Sequence, residues 1–330
     1  MTEPTHVDLD ELSKILSTPT APPNAHSAVI IALLNVARVR DDVGGEFVED
    51  LGRLLGRPSL DETIVLRGLR QLAANDAEAV FELRDEITNH ISPGDTDVTQ
   101  AVTGCCVELA ATEPTAFVDL VPTLATLLES ENKQIRQNAV YILSQVADEY
   151  PEEVKPVVPQ LIDDIDARER NYQTNALSAL GAIVSSYPAA GIQAIDAFAE
   201  IVDSGTDTPT MVRANAVGLL GDVATEYPAE VAEHGTVLVE SLQSDDEFVA
   251  GNAAAAIVHI AVSDSETVEE AIPALVELMD DPSPVVRRNT YKALGHLEAT
   301  VALENLRSIA ESDPDETVRT VAAWAVDQLT

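Results

Sequence analysis

One pattern of apolar and polar positions recurs along most of the chain. It reads IRQNAVYILSQVADEYP from Ile135, YQTNALSALGAIVSSYP from Tyr172 and VRANAVGLLGDVATEYP from Val212. VAGNAAAAIVHIAV from Val249, VRRNTYKALGHL from Val286 and VRTVAAWAVDQL from Val318 continue it, VTQAVTGCCVELAATEP from Val98 precedes it, and VLRGLRQLAAND from Val65 fits loosely. Within each copy the apolar residues return at three- and four-residue steps, as in Ile135, Ala139, Ile142, Leu143 and Val146, which predicts a helix with a wide buried face. Asn138, Asn175, Asn215, Asn252 and Asn289 hold the same place in five copies, at spacings of 37, 40, 37 and 37 residues. Such a period marks a structural repeat.

Between the copies lies a second helical stretch, such as PEEVKPVVPQLIDDI from Pro151 or EEAIPALVELMDD from Glu269. The pairs Tyr150-Pro151, Tyr187-Pro188 and Tyr227-Pro228 are expected to end one helix and open the next, because proline suits the first helical turn and not the interior. No alternating strand pattern competes. The chain reads as an all-α, right-handed α-solenoid of about nine stacked antiparallel helix pairs, since one pair cannot bury its own apolar stripe and neighbours must stack. Residues 1–95 are irregular helical repeats and 96–330 regular ones, in one continuous solenoid.

The run DDPSPVVRRNTYKALGHL from Asp280, with Asp, then Val-Arg, then Ala-Leu-Gly, resembles the HEAT repeat, including its adaptin-like and lyase-associated variants. The resemblance covers about Val98 to Leu329 and departs where Arg is missing, at Val249-Ala250-Gly251 and at Tyr172-Gln173. It implies a scaffold in most cases and an enzyme in a few.

Charge narrows the choice of partner. The chain of 330 residues has 57 acidic and 19 basic side chains, a net charge of −38. Binding to nucleic acid or anionic membrane rests on Lys and Arg releasing counterions, so neither is expected here. The basic set holds four lysines only, Lys14, Lys133, Lys155 and Lys292, and this acidic, lysine-poor composition resembles that of salt-in halophilic archaea. In multimolar salt the Debye length is about 3 Å or less, so carboxylate repulsion is screened and the acidic skin serves hydration. Met1 to Ser13 is too acidic for a signal peptide, and the apolar run Ala253 to Val262 is half the length of a membrane span. A cytoplasmic location is expected.

Few residues invite chemistry. The Asn ladder reads either as a grip on a bound chain's backbone, as in the related armadillo repeat, or as partly buried amides satisfying neighbouring loops. Arg136, Arg213, Arg287 and Arg319, each one position after the first core residue of its helix, read as a structural ladder to the acidic loops at Glu131, Asp207, Asp281 and Asp315. Cys105 and Cys106 fall at core positions. Asp222, His259 and His296 share one register, but without tight ligand spacing no metal is expected. No phosphate loop, dinucleotide glycine pattern or nucleophile elbow occurs, so neither catalytic residues nor a cofactor are expected.

In a HEAT-like solenoid the second helices line the concave side. Projection at 100° per residue puts Tyr141, Ser178, Gly218, Ala255 and Lys292 in one exposed row. Ser144, Gly181, Gly221, Val258 and Gly295 form another, with Arg288 at the edge. These rows predict a smooth trough flanked by Tyr141, Arg288 and Lys292 that admits a protein segment. The expected function is a non-enzymatic protein-interaction scaffold. The alternative is an enzyme-associated subunit of the lyase-associated type acting on a partner protein's cofactor. A helical-repeat DNA glycosylase ranks last, because it needs a basic concave face and aromatics make up 4% of this chain.

Overall fold

A computed structural model of the chain describes residues 8–40, 43–92, 94–163, 165, 168–204 and 208–330. Asp164 and Asp207, two of the loop acids, lie outside these residues. The described residues hold helices and turns and no strand, in two compact units, Met1–Glu153 and Val154–Thr330.

The repeated phrase forms nine long helices among the described residues, and these are the second helices of the pairs. In the first unit they are α1 (Pro23–Ala37), α2 (Glu62–Asn75), α3 (Thr96–Ala110) and α4 (Lys133–Glu149). In the second they are α5 (Arg170–Ser186), α6 (Thr210–Ala224), α7 (Glu247–Ser263), α8 (Pro284–His296) and α9 (Glu316–Gln328). Within each unit, consecutive members of this series pack side by side, and the shorter first helices form a second layer. This is the all-α solenoid of HEAT-like helix pairs that the repeat implies.

Local chemistry sets the boundaries. Asn132, Asp246 and Asp315 cap α4, α7 and α9, each accepting first-turn backbone N–H bonds, as in Ile135 N to Asn132 Oδ1 at 3.2 Å and Val249 N to Asp246 Oδ1 at 3.1 Å. Each such cap contributes about 1 kcal/mol. Tyr150 and Tyr187 close α4 and α5 by donating to Val146 O at 2.8 Å and Ile183 O at 2.7 Å, and the following proline opens the next helix. The first helices are less regular than the pattern predicts. The stretch from Pro151 divides into Pro151–Val154, a 3-10 turn Lys155–Val157 and Val158–Ile162. Pro156 and Pro159 cause this, because neither donates a backbone N–H to the turn before it.

The core lies between the layers. Ile135, Ala139, Ile142, Leu143 and Val146 are all at most 3% exposed, as the spacing predicts. Tyr172 and Tyr291 sit in it at 0% exposure, and the Tyr291 hydroxyl donates to Met279 O at 2.6 Å. Burial, with Asp313 nearby, pushes the Tyr291 phenol up to about 12. Cys105 and Cys106 are buried in α3, and burial raises both thiols, that of Cys106 to about 12. Both are core hydrophobes.

Candidate interaction face

Three members of the Asn ladder tie neighbouring second helices together. Asn252 on α7 donates its amide to Ala214 O on α6 at 2.9 Å, and Asn289 on α8 donates to Gly251 O on α7 at 3.0 Å, each reaching 38 residues back. The acceptor is in both cases the residue before the Asn position of the previous copy. Asn138 on α4 is buried. Oriented so that donors meet acceptors, its carboxamide oxygen accepts from Gly104 N at 3.1 Å and Thr103 Oγ1 at 3.0 Å on α3. Asn175 is half-buried and Asn215 exposed.

The arginine ladder meets the loops before its helices through their carbonyls. Arg136 Nη1 donates to Ser130 O at 2.7 Å and Glu131 O at 3.0 Å, Arg287 Nη1 to Asp281 O at 2.8 Å, and Arg319 Nη1 to Asp313 O at 2.7 Å. These are loop carbonyls five or six residues before the arginine. A guanidinium one turn into a helix folds back over its own capping loop and satisfies carbonyls that would otherwise be orphaned. Arg213 would face the loop at Asp207, outside the described residues. Arg287 also makes a carboxylate pair, with Nε and Nη2 meeting Asp313 Oδ2 and Oδ1 at 2.9 and 3.0 Å while both side chains are largely buried. Burial alone would raise the Asp313 carboxyl, but bonds from Arg287 and from Asp315 N–H outweigh it and hold the group below its ordinary value.

The predicted exposed rows are narrower than projection implies. Ser178 and Lys292 are exposed; Tyr141, Gly218, Ala255 and Arg288 are half-buried. In the other row Ser144, Gly221 and Gly295 are buried, and only Gly181 and Val258 are partly open. A second helix has neighbours on both flanks as well as the first-helix layer beneath, so its buried arc is wider than that of a helix lying on one surface. The small residues serve that approach. A Cβ on Gly295 would stand 2.6 Å from Trp324 Cζ3, and one on Gly218 would stand 3.1 Å from Asn252 Nδ2.

A further row went unread in the sequence. Met211, Phe248 and Val285 are 71%, 66% and 50% exposed, and each is the second residue of its helix, at steps of 37 residues. They stand four positions before the Asn register, so helical projection puts them on the face of Gly218, Ala255 and Lys292. Their signal was present as a periodic apolar position outside the core pattern. Seven positions after the Asn register come Asp222, His259 and His296. Burial, then Lys292, lowers both histidines, with Asp222 pulling His259 back upward, while burial raises Asp222 against the pull of His259. The His296 ring lies 4.8 Å from that of Trp324. No group of three or more His, Cys, Asp or Glu that could hold a metal occurs among the described residues.

A family model described as HEAT repeats matches residues 235–327. No curated protein matches the chain. Among solved structures, an engineered protein is similar over 96% of this chain and 87% of its own, with a TM-score of 0.82 at 22% identity. A second engineered protein is similar over 63% of this chain and 96% of its own, with a TM-score of 0.55 at 24% identity. A designed armadillo repeat protein is similar over 65% of this chain and 99% of its own, with a TM-score of 0.56 at 25% identity. These likenesses agree with the helix-pair solenoid. No helix among the described residues is long and apolar enough to cross a membrane.

Proposed function

We propose that the protein is a non-enzymatic scaffold that holds a partner protein against the second-helix face of the unit Val154–Thr330, the concave side expected of a HEAT-like solenoid. The observation that carries this reading is the aligned, exposed column of Met211, Phe248 and Val285. Covering a large apolar side chain is worth about 1.5–3 kcal/mol, and three in register supply a hydrophobic anchor line. Beside it, Ser178, Gly218 and Ala255 leave room for a segment to approach the helices. Arg288 and Lys292 offer cations at one end, and His259 and His296, held below their ordinary values, offer neutral imidazoles. The acidic, lysine-poor composition supports a cytoplasm of high salt as the setting.

The test is a triple variant, Met211→Ser, Phe248→Ser and Val285→Ser, in tagged protein purified from its own host at the host's salt concentration. The variant should keep its helicity and denaturation midpoint while losing the partner that co-purifies with the unaltered chain. The control Val301→Ser alters an exposed valine outside the second helices and should retain that partner. Retention of the partner by the triple variant refutes the assignment of this face.

A further inference from the structure

A second surface, in the unit Met1–Glu153, inverts the charge of the chain. Carboxylates outnumber cations three to one overall, yet one cleft of about 380 Å³ is lined by Arg38, Arg67 and Arg70 with Glu108 as its single acid. Arg38 caps the end of α1, Arg67 and Arg70 lie three apart on α2, and Glu108 belongs to α3. Arg70 is paired, its Nε donating to Glu108 Oε1 at 3.1 Å. Arg38 and Arg67 make no ion pair among the described residues, and both are exposed. Like charges three apart on one helix cost a few tenths of a kcal/mol.

The remaining wall is apolar apart from Gln71. Leu34 and Ala74 line the cleft, and Ile31, 49% exposed, precedes Leu34 by three residues on the same face of α1. From Ile31 to Arg38 this face runs about 10 Å at 1.5 Å per residue, and α2 widens it by a helix spacing of about 8–10 Å. A small inorganic ion would occupy a fraction of that surface. Apolar positions interleaved with forked guanidiniums match a chain that alternates carboxylates with aliphatic side chains, because each guanidinium can take a carboxylate in two parallel bonds. Gln71, which donates to Asn75 Oδ1 at 3.4 Å, keeps its own carbonyl free to accept a backbone N–H.

We propose that this cleft binds an acidic, amphipathic segment of a partner protein, with carboxylates on Arg38 and Arg67 and aliphatic side chains on Ile31, Leu34 and Ala74. The proposal rests on the first unit alone, and failure of the scaffold face in the second unit leaves it standing.

The experiment measures binding of a fluorescent synthetic peptide of alternating Glu and Leu to the full chain, at the lowest salt concentration at which circular dichroism shows the chain fully folded. The peptide should bind the unaltered chain, and the double variant Arg38→Gln, Arg67→Gln should weaken binding about tenfold, a few-fold for each exposed ion pair. Arg307→Gln, on the other unit, should change nothing. Independently of any variant, replacing Glu by Gln or Leu by Ser in the peptide should each weaken binding tenfold or more. Absence of binding to the unaltered chain, equal binding by the double variant, or displacement of the peptide by citrate or inorganic phosphate at equal concentration would overturn the proposal, the last outcome marking a small-anion site.

Discussion

Gly218 and Asn252 make a test of what the Asn ladder is for. Gly218 stands in the interior of α6, where alanine would gain about 1 kcal/mol from helix propensity alone. A Cβ there would stand 3.1 Å from Asn252 Nδ2, the amide that donates to Ala214 O at 2.9 Å. Gly218→Ala therefore sets the propensity gain against displacement of that amide, whose bond is worth about 1 kcal/mol, and the net change should be near zero. Asn252→Ala removes the bond and replaces a modest helix former by the best one, so its own sign is close to balanced as well. The coupling is not balanced. Once the amide is gone the new methyl meets no obstacle, and Gly218→Ala should stabilise the Asn252→Ala background by about 1 kcal/mol. A double-mutant cycle by urea denaturation followed by circular dichroism isolates that term, because both propensities cancel. Hydrogen exchange of the α6 and α7 amides should report the same change locally, since stacked repeats open in parts. Additivity within about 0.3 kcal/mol would show that the amide and residue 218 do not contend for one space, and the ladder would lose its structural explanation.

Two further outcomes follow from the carboxyl-terminal repeats. Asp313→Asn leaves a largely buried guanidinium facing an amide and should cost about 1.5–3 kcal/mol, read as a lower denaturation midpoint. Because the folded carboxyl sits below its unfolded value near 3.8, the stability it supplies is present above that pH and lost as pH falls through the folded value, and the variant should lack this part of the acid transition. Gly295→Ala should destabilise, since overpacking costs of about 1–3 kcal/mol exceed a propensity gain of about 1, and the tryptophan fluorescence of Trp324 should shift as its ring is pushed by a methyl 2.6 Å away.

The helices, their order and the core were legible because each copy of the phrase repeats the same spacing, and Ile135, Ala139 and Leu143 lie where it puts them. Exposure was less legible. A single helix projected on a wheel cannot know that neighbours cover both flanks, and so Gly221, Gly295 and Ser144 were placed outside when they are buried. Charge complementarity points the arginines at the acidic loops, and the geometry of a helix start decides that loop carbonyls accept from them. The column of Met211, Phe248 and Val285 lies outside the core stripe, so core periodicity alone does not reveal it. The cleft of Arg38, Arg67 and Arg70 draws on α1 and α2, where the repeated phrase is weakest and register gives no guide.

The reach of the amide ties bears on how such a chain changes length. Asn252 and Asn289 each find a carbonyl 38 residues back, beside the previous asparagine. If residues 215–251 were excised, Asn252 would follow Ala214 directly, and Asn289 would find Ala214 O at the same separation in sequence. A deletion of a whole number of 37-residue periods within α6 to α8 restores the separation of amide and acceptor, whereas one that is not a multiple of the period parts them. The amide tie therefore favours gain or loss of sequence in whole periods, since those keep its donor and acceptor in register.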